Sequence, residues 1–264
     1  MSGDLSVRTA DRAAVNADAS TWAVAHRGDR VVGHARCDAD GDLTLLLDDG
    51  LAEADAVEAA AALVGHLRDH DGARVRRWFV RAARPRDMAV AARLTLAPTR
   101  ELFQMRVPLP LASEGASDLA WRAFVPGEDE QAWVTVNNRA FADHRDQGGR
   151  TVADLVALEA EPWFDPEGFV LHHDGSGALD GFCWTKVHGD TDPPLGEIFV
   201  IGVDPTAHGQ GLGRALVRTG LDWLHRAGLT QGMLYVDADN APAVALYRSL
   251  GFVAVSRDVE FGAG

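Results

Sequence analysis

The sequence predicts an α/β (α+β) fold of two tandem units, each a mixed sheet flanked by helices. Three observations carry that prediction. Short apolar runs with strand character alternate along the chain with segments of helical spacing. One stretch, LGEIFVIGVDPTAHGQGLGRALVRTGL at 195–221, joins a strand pattern to a helix pattern through a glycine-rich loop. The two halves also repeat: DRVVGHARC corresponds to GALDGFCWT, LTLLLDD to IFVIGVD, WFV to LYV, and DMAVAARLTL to AVALYRSLGF. A period this long indicates duplication of one α/β unit rather than a solenoid.

In the first half, residues 1–30 are rich in Ala, Asp and Arg, with Val15, Ala19 and Trp22 as the hint of a buried face. TWAVAHRGDRVVGHARCD reads as a hairpin turning at Gly28-Asp29, and 43–47 (LTLLL) as a further strand. Over 54–70, Val57, Ala60, Ala61, Val64 and Leu67 recur at helical spacing. A strand at 76–80, a helix at 87–93 and a strand at 102–107 complete the half. PLPLASEG (108–115), with two prolines, reads as a linker, so the expected domains are 1–110 and 116–264.

The second half is predicted to run strand 119–124, helix 129–141, helix from the N-cap Thr151, and strands 169–173 and 178–186. The 195–221 stretch follows. Its apolar run 198–203 ends at Asp204-Pro205, and its helix places Leu212, Ala215, Leu216, Thr219 and Trp223 on one face. A strand at 233–236, a helix from Asn240 and Pro242 to Leu250, and a strand at 252–261 close the chain.

Bulk properties exclude several functions. The 264 residues, 47% hydrophobic, suffice for a packed core. A net charge of −14 argues against sequence-independent binding to nucleic acid, while leaving room for a local phosphate pocket. Cys37 and Cys183 cannot build a disulfide framework, which fits a reduced cytoplasmic setting. No apolar stretch reaches membrane-spanning length, and MSGDLSVRTADR lacks a secretory apolar region. His172, His173 and His188 have no partners at metal spacing, so no metal is expected. Cys183 alternates with strand residues and reads as core rather than nucleophile.

Strand, loop of small residues and helix start together form a phosphate cradle. Bare backbone N–H groups and the helix dipole both favour an anion there. The first half lacks the device: after Asp49-Gly50 it continues LAEADAVEAA, and it has Ala91 where the second half has Tyr247. The first unit is therefore read as structural and the second as active.

HGQGLG, in the place of a [QR]-x-x-G-x-[GA] loop, and VDADNAPAVALYRSLGF, an Asn-then-Tyr helix with a terminal Gly-Phe, resemble the GCN5-related N-acetyltransferases. One departure is His208 at the position that usually holds Gln or Arg. The resemblance implies acetyl-CoA as co-substrate. It is held by the N–H groups of the loop (His208, Gly209, Gln210, Gly211, Leu212, Gly213 and Arg214), by the strand at Ile201, Gly202 and Val203, and by Asn240 and Ala245. It also implies a strand that splays at Gly202, freeing the Val203 N–H to polarise the thioester carbonyl. Tyr247, a phenol, would give its proton to the departing thiolate.

RELFQM, NNRAFADHRDQG, EPWFDPEGF and GFCWTKVH resemble a narrower branch of that family. Its members acetylate the cysteinyl amine of a cysteine–glucosamine–inositol conjugate. That resemblance implies Glu197 as general base, and Asp146, Lys186, Glu197 and Tyr235 as contacts to a polyhydroxylated acceptor. Read alone, Glu197 is a strand's solvated end and the others are surface or sheet residues. The expected partner is thus a small-molecule amine, met by a monomer. The alternatives are an acetyltransferase of a protein N-terminus or another small amine, and a non-catalytic acyl-CoA sensor.

Overall fold

The computed structural model of the protein describes residues 4–9, 22–112, 117–145 and 147–263. Val15, Ala19 and Asp146 lie outside the described residues, as does the end of the proline-rich linker. By internal contacts the chain forms two compact units. The first comprises Met1–Phe103, Asp237–Asp239 and Ser256–Gly264; the second comprises Gln104–Val236 and Asn240–Val255.

The first unit opens with β1 (Leu5–Thr9), β2 (Ala23–Arg27), β3 (Arg30–Cys37) and β4 (Asp42–Leu47), an antiparallel meander. Gly28, at φ 59°, makes the β2–β3 turn. The long helix α1 (Glu53–Asp71) ends at Gly72 in the left-handed conformation, φ 65°, where glycine carries no Cβ penalty. Then come β5 (Arg77–Val80), α2 (Pro85–Arg93) and the start of β6 (Leu96–Pro108). β4 and β5 run parallel, paired at Asp42–Arg77 and Leu43–Trp78. The core joins α1 and α2 to the sheet, with Trp78 stacked on Phe261 at 5.4 Å.

α1 buries Ala56, Ala59, Ala60, Leu63, Val64 and Leu67, whereas Val57 and Ala61 are only half-buried. The inward face is thus turned from the expected one. An alanine-rich helix has small apolar residues all round and leaves its phase to tertiary packing.

The second unit places β7 (Arg122–Ala123), α3 (Glu130–Ala140), α4 (Val152–Glu159), β8 (Phe169–His173), β9 (Leu179–His188) and β10 (Leu195–Val203) in order. After these come α5 (Leu212–Arg226), β11 (Gln231–Asp237), α6 (Ala241–Ser249) and the start of β12 (Val253–Ala263). Within the unit the sheet order is β6-β11-β10-β9-β8-β7, parallel at β10–β11 and antiparallel from β10 to β7. Thr151 caps α4 in a reciprocal pair with Asp154.

Stacked and edge-on aromatics fill the α3 side of the sheet. Trp184 lies on Phe169 at 4.4 Å, and Phe169 lies on Phe124 at 4.5 Å. α5 packs on the other side, burying Leu216, Val217, Gly220, Leu221 and Leu224; Ala215 and Trp223, expected inside, are half-buried.

Two sequence expectations about β10 are corrected. The strand begins at Leu195, so Glu197 is inside it rather than at a solvated end. The sheet also opens earlier than Gly202. β10 pairs β11 at Gly196–Gly232 and Glu197–Met233 only, and against β9 a bulge leaves Phe199 unpaired between Ile198–Thr185 and Val200–Trp184. Gly202 itself is regularly paired with Phe182. Its glycine is required by packing, since a Cβ there would stand 2.6 Å from the Phe182 ring.

Candidate active site

Alternation along β9, β10 and β11 sorts the candidate residues by face. A Cβ on Gly196 would run into Leu224 of α5, and one on Gly232 into Leu221 of the same helix. Their neighbours Glu197 and Met233 therefore point the other way, and so does Tyr235. Lys186 is the cross-strand partner of Glu197, and His188 lies two residues on, on the same face.

Glu197 is 8% exposed and pairs with His188, Nε2 to Oε2, at 2.7 Å. Burial raises its pKa above the ordinary glutamate value, while the His188 hydrogen bond, the His188 charge and the Lys186 charge pull against that rise. The Lys186 ammonium lies over the Trp163 ring at 4.2 Å and 5.3 Å from the centre of Phe199, the bulged residue. Tyr235 is 41% exposed, and its hydroxyl accepts from Gln104 Nε2 at 2.8 Å. These side chains form an open polar face around a buried carboxylate.

The loop after β10 starts with Asp204, whose carboxylate caps the turn Pro205–Ala207 by accepting from the Thr206 N–H at 2.9 Å and pairs with Arg139 at 3.0 Å. His208 closes the turn with its Nε2 3.1 Å from the Val203 carbonyl, so the departure from the usual Gln or Arg has a local role in holding loop to strand. Gly209 and Gly211 sit at φ 77° and 80°, a region that disfavours any side chain. His208, Gly209, Gln210 and Gly211 are exposed, and Leu212 is buried as the anchor. Gly211 is the N-cap of α5 and, having no side chain, leaves the N–H groups of the helix start without a cap of its own. A Cβ on Gly213 would reach only ordinary contact with Val203. Arg214 donates to Ser249 Oγ at 2.7 Å, joining α5 to α6. Ile201 and Val203 are half-buried, and Gly202 is buried.

Asn240 caps α6, accepting from the Ala243 N–H at 3.2 Å, and Ala245 is exposed on that helix. Tyr247 is buried beside Phe252. Burial, with Cys183 nearby, pushes its pKa up to about 12. Cys183 is fully buried, and burial also raises its thiol, in keeping with a core role.

Glu197 marks the point where β10 parts from β11, the glycine loop follows the far end of the same strand, and Tyr247 lies on α6 near Cys183 of β9. His188, Gln104, Arg106 and Trp163 join the site without having been singled out from the sequence as site residues. The signals for His188 were its place at the end of the GFCWTKVH segment and its spacing of two from Lys186, which puts both on one strand face.

The chain matches the Acetyltransferase (GNAT) family over residues 129–252. Its fold is similar to that of a GCN5-related N-acetyltransferase from Sphaerobacter thermophilus. That match has a TM-score of 0.70 and 21% identity, over 91% of this chain and 79% of the other. A mycothiol acetyltransferase from Thermomonospora curvata is 45% identical over 82% of this chain and 80% of its own length. Another, from Paenarthrobacter aurescens, is 51% identical over 66% of this chain. The matched segment spans just over half, 55%, of the latter relative's length. The chain belongs to the mycothiol acetyltransferase family.

Proposed function

We propose that the protein transfers acetyl from acetyl-CoA to the cysteinyl amine of a cysteine–glucosamine–inositol conjugate, the reaction that its resemblance to the mycothiol acetyltransferases implies. The observation that carries this reading is Glu197: a buried carboxylate, held by His188, on a polar face where β10 parts from β11, in the strand whose far end leads into an uncapped glycine loop.

The cradle fits a pyrophosphate. Its two left-handed glycines leave the backbone unshielded, and the α5 dipole favours negative charge. In this reading the N–H groups of 208–214 hold that group, and the β10 residues Ile201, Gly202 and Val203 line the arm. Acetyl-CoA, when bound, supplies an activated acyl thioester.

Glu197 takes a proton from the substrate ammonium, directly or through one water, which frees the nitrogen lone pair. Its raised pKa makes it a stronger base than an ordinary glutamate, and the His188 contact orients it and keeps it ionised. Tyr247, still protonated at neutral pH, gives its proton to the departing thiolate. Lys186 and Tyr235, with Asp146, meet the hydroxyl-rich acceptor. The same reading makes the enzyme a cytoplasmic protein acting on a small molecule, in keeping with its two free cysteines, and a monomer, since a duplicated fold can serve as its own pseudo-dimer.

A thiol-release assay with acetyl-CoA against a panel of amines tests this. The cysteinyl conjugate should be the best substrate; preference for a peptide N-terminus, or binding without turnover, would reject the reading. Glu197→Gln and Tyr247→Phe should each lower kcat by roughly 10² or more while leaving acetyl-CoA affinity near wild type.

A further inference from the structure

Arg106, Gln104 and Tyr235 form a chain of hydrogen bonds with a fixed direction. Arg106 Nε donates to Gln104 Oε1 at 3.2 Å, and Gln104 Nε2 donates to the Tyr235 hydroxyl at 2.8 Å. A guanidinium has donors only, so it selects the amide orientation that turns the carbonyl oxygen of Gln104 toward Arg106. The NH₂ group is left facing Tyr235. An amide NH₂ has no lone pair to offer, so the phenol oxygen must accept, and its own hydrogen is free to point elsewhere. Tyr235 is 41% exposed on the face that carries Glu197, and that open face is where the hydrogen can go.

We propose that Arg106 and Gln104 are positioning residues that commit the Tyr235 hydroxyl to donating, so that Tyr235 selects a hydrogen-bond acceptor atom on the amine substrate. The matching groups are the hydroxyl, ether and carbonyl oxygens of a polyhydroxylated conjugate; an ammonium or other N–H at that point is rejected. An uncommitted phenol would serve either partner by rotating its hydrogen. A committed one discriminates, because two facing donors leave both groups unpaired once water is displaced. This rests on the reading of the Tyr235 face as the acceptor pocket.

Gln104→Glu tests it. The substituted side chain has nearly the same shape and still pairs with Arg106, but it offers Tyr235 a carboxylate oxygen. The phenol must then donate inward, and the substrate loses its donor although the tyrosine remains. The acceptor KM should rise about fivefold to tenfold, the worth of one hydrogen bond, with kcat and the acetyl-CoA KM near wild type. Tyr235→Phe should raise the acceptor KM to a similar extent. Because both changes remove one interaction, the double variant should be no worse than either single one.

A wild-type acceptor KM in Gln104→Glu beside a raised one in Tyr235→Phe overturns the relay and leaves the pocket standing. Additive effects in the double variant would mean that the new charge acts on its own, and would also overturn it. An unchanged acceptor KM in Tyr235→Phe rejects the pocket assignment itself, and the relay with it.

Discussion

Glu197 sits where two opposed effects meet. Its side chain is 10% exposed, which favours the neutral acid, and His188, 25% exposed, supplies the hydrogen bond that favours the ion. Removing the imidazole leaves the first effect unopposed except by Lys186. In His188→Ala the carboxylate should therefore hold its proton to higher pH. The acidic limb of kcat/KM should move to higher pH, with the plateau reached above it little changed. A limb that stays in place would show that His188 does not act through Glu197. The groups that face this carboxylate are His188 and Lys186 on β9, with Tyr235 on β11 and Gln104 and Arg106 on β6 sharing its side of the sheet. Little of this was legible in the sequence. The position of Glu197 followed from a family resemblance, but its burial and its histidine arise from pairing between strands whose register no single segment specifies.

Among the elements, β10 depends most on its neighbours. Gly202 packs against Phe182 on the crowded α3 side, where Phe182 is fully buried beside Trp133 at 5.3 Å. Gly202→Ala should destabilise the fold by about 1–3 kcal/mol, read from denaturant midpoints, because a buried ring held edge-on between Trp133 and Phe169 cannot yield the needed space without strain. An unchanged midpoint would show that the ring moves freely. Most elements were readable from local pattern: the β2–β3 hairpin from its Gly-Asp turn, α4 from its capping threonine, α5 from the helical spacing of Leu212, Leu216 and Thr219. Others were not. β1, LSVRT, is too short for its alternation to stand out, and β6 begins at Leu96, well before the apolar residues that marked it. β7 shrinks to Arg122–Ala123, for strand length is set by the partner and not by the run of suitable residues.

On the scale of the molecule, one half of the duplication has the cradle and the other does not. In the first unit the residues after β4 carry Asp49, whose carboxylate pairs with Arg84 at 2.9 Å and Arg86 at 3.1 Å. Arg86 also donates to the Asp48 and Asp49 carbonyls, and Glu53 and Asp55 fill the first turn of α1. A pyrophosphate at this helix start would face the carboxylates of Asp49, Glu53 and Asp55, which disfavour a second anion. Calorimetry should find one tight acetyl-CoA site per chain, and two would overturn the structural reading of this unit. The repeat itself was visible in sequence because duplicated strands keep their apolar pattern. The fate of the vanished loop was not, since arginines far along the chain close it.

The early parting of β10 from β11 leaves a raw edge in the interior of a sheet. From Ile198 onward, the N–H and C=O groups that β10 aims toward β11 have no ladder to join. Exposed edges of this kind ordinarily invite another strand. Here the opening leads to the glycine loop proposed to hold an anion, so the guest that would fit is extended, carries amides along its length and ends in phosphate. Such a molecule would enter as a strand on loan, and the sheet would be whole only while it stayed.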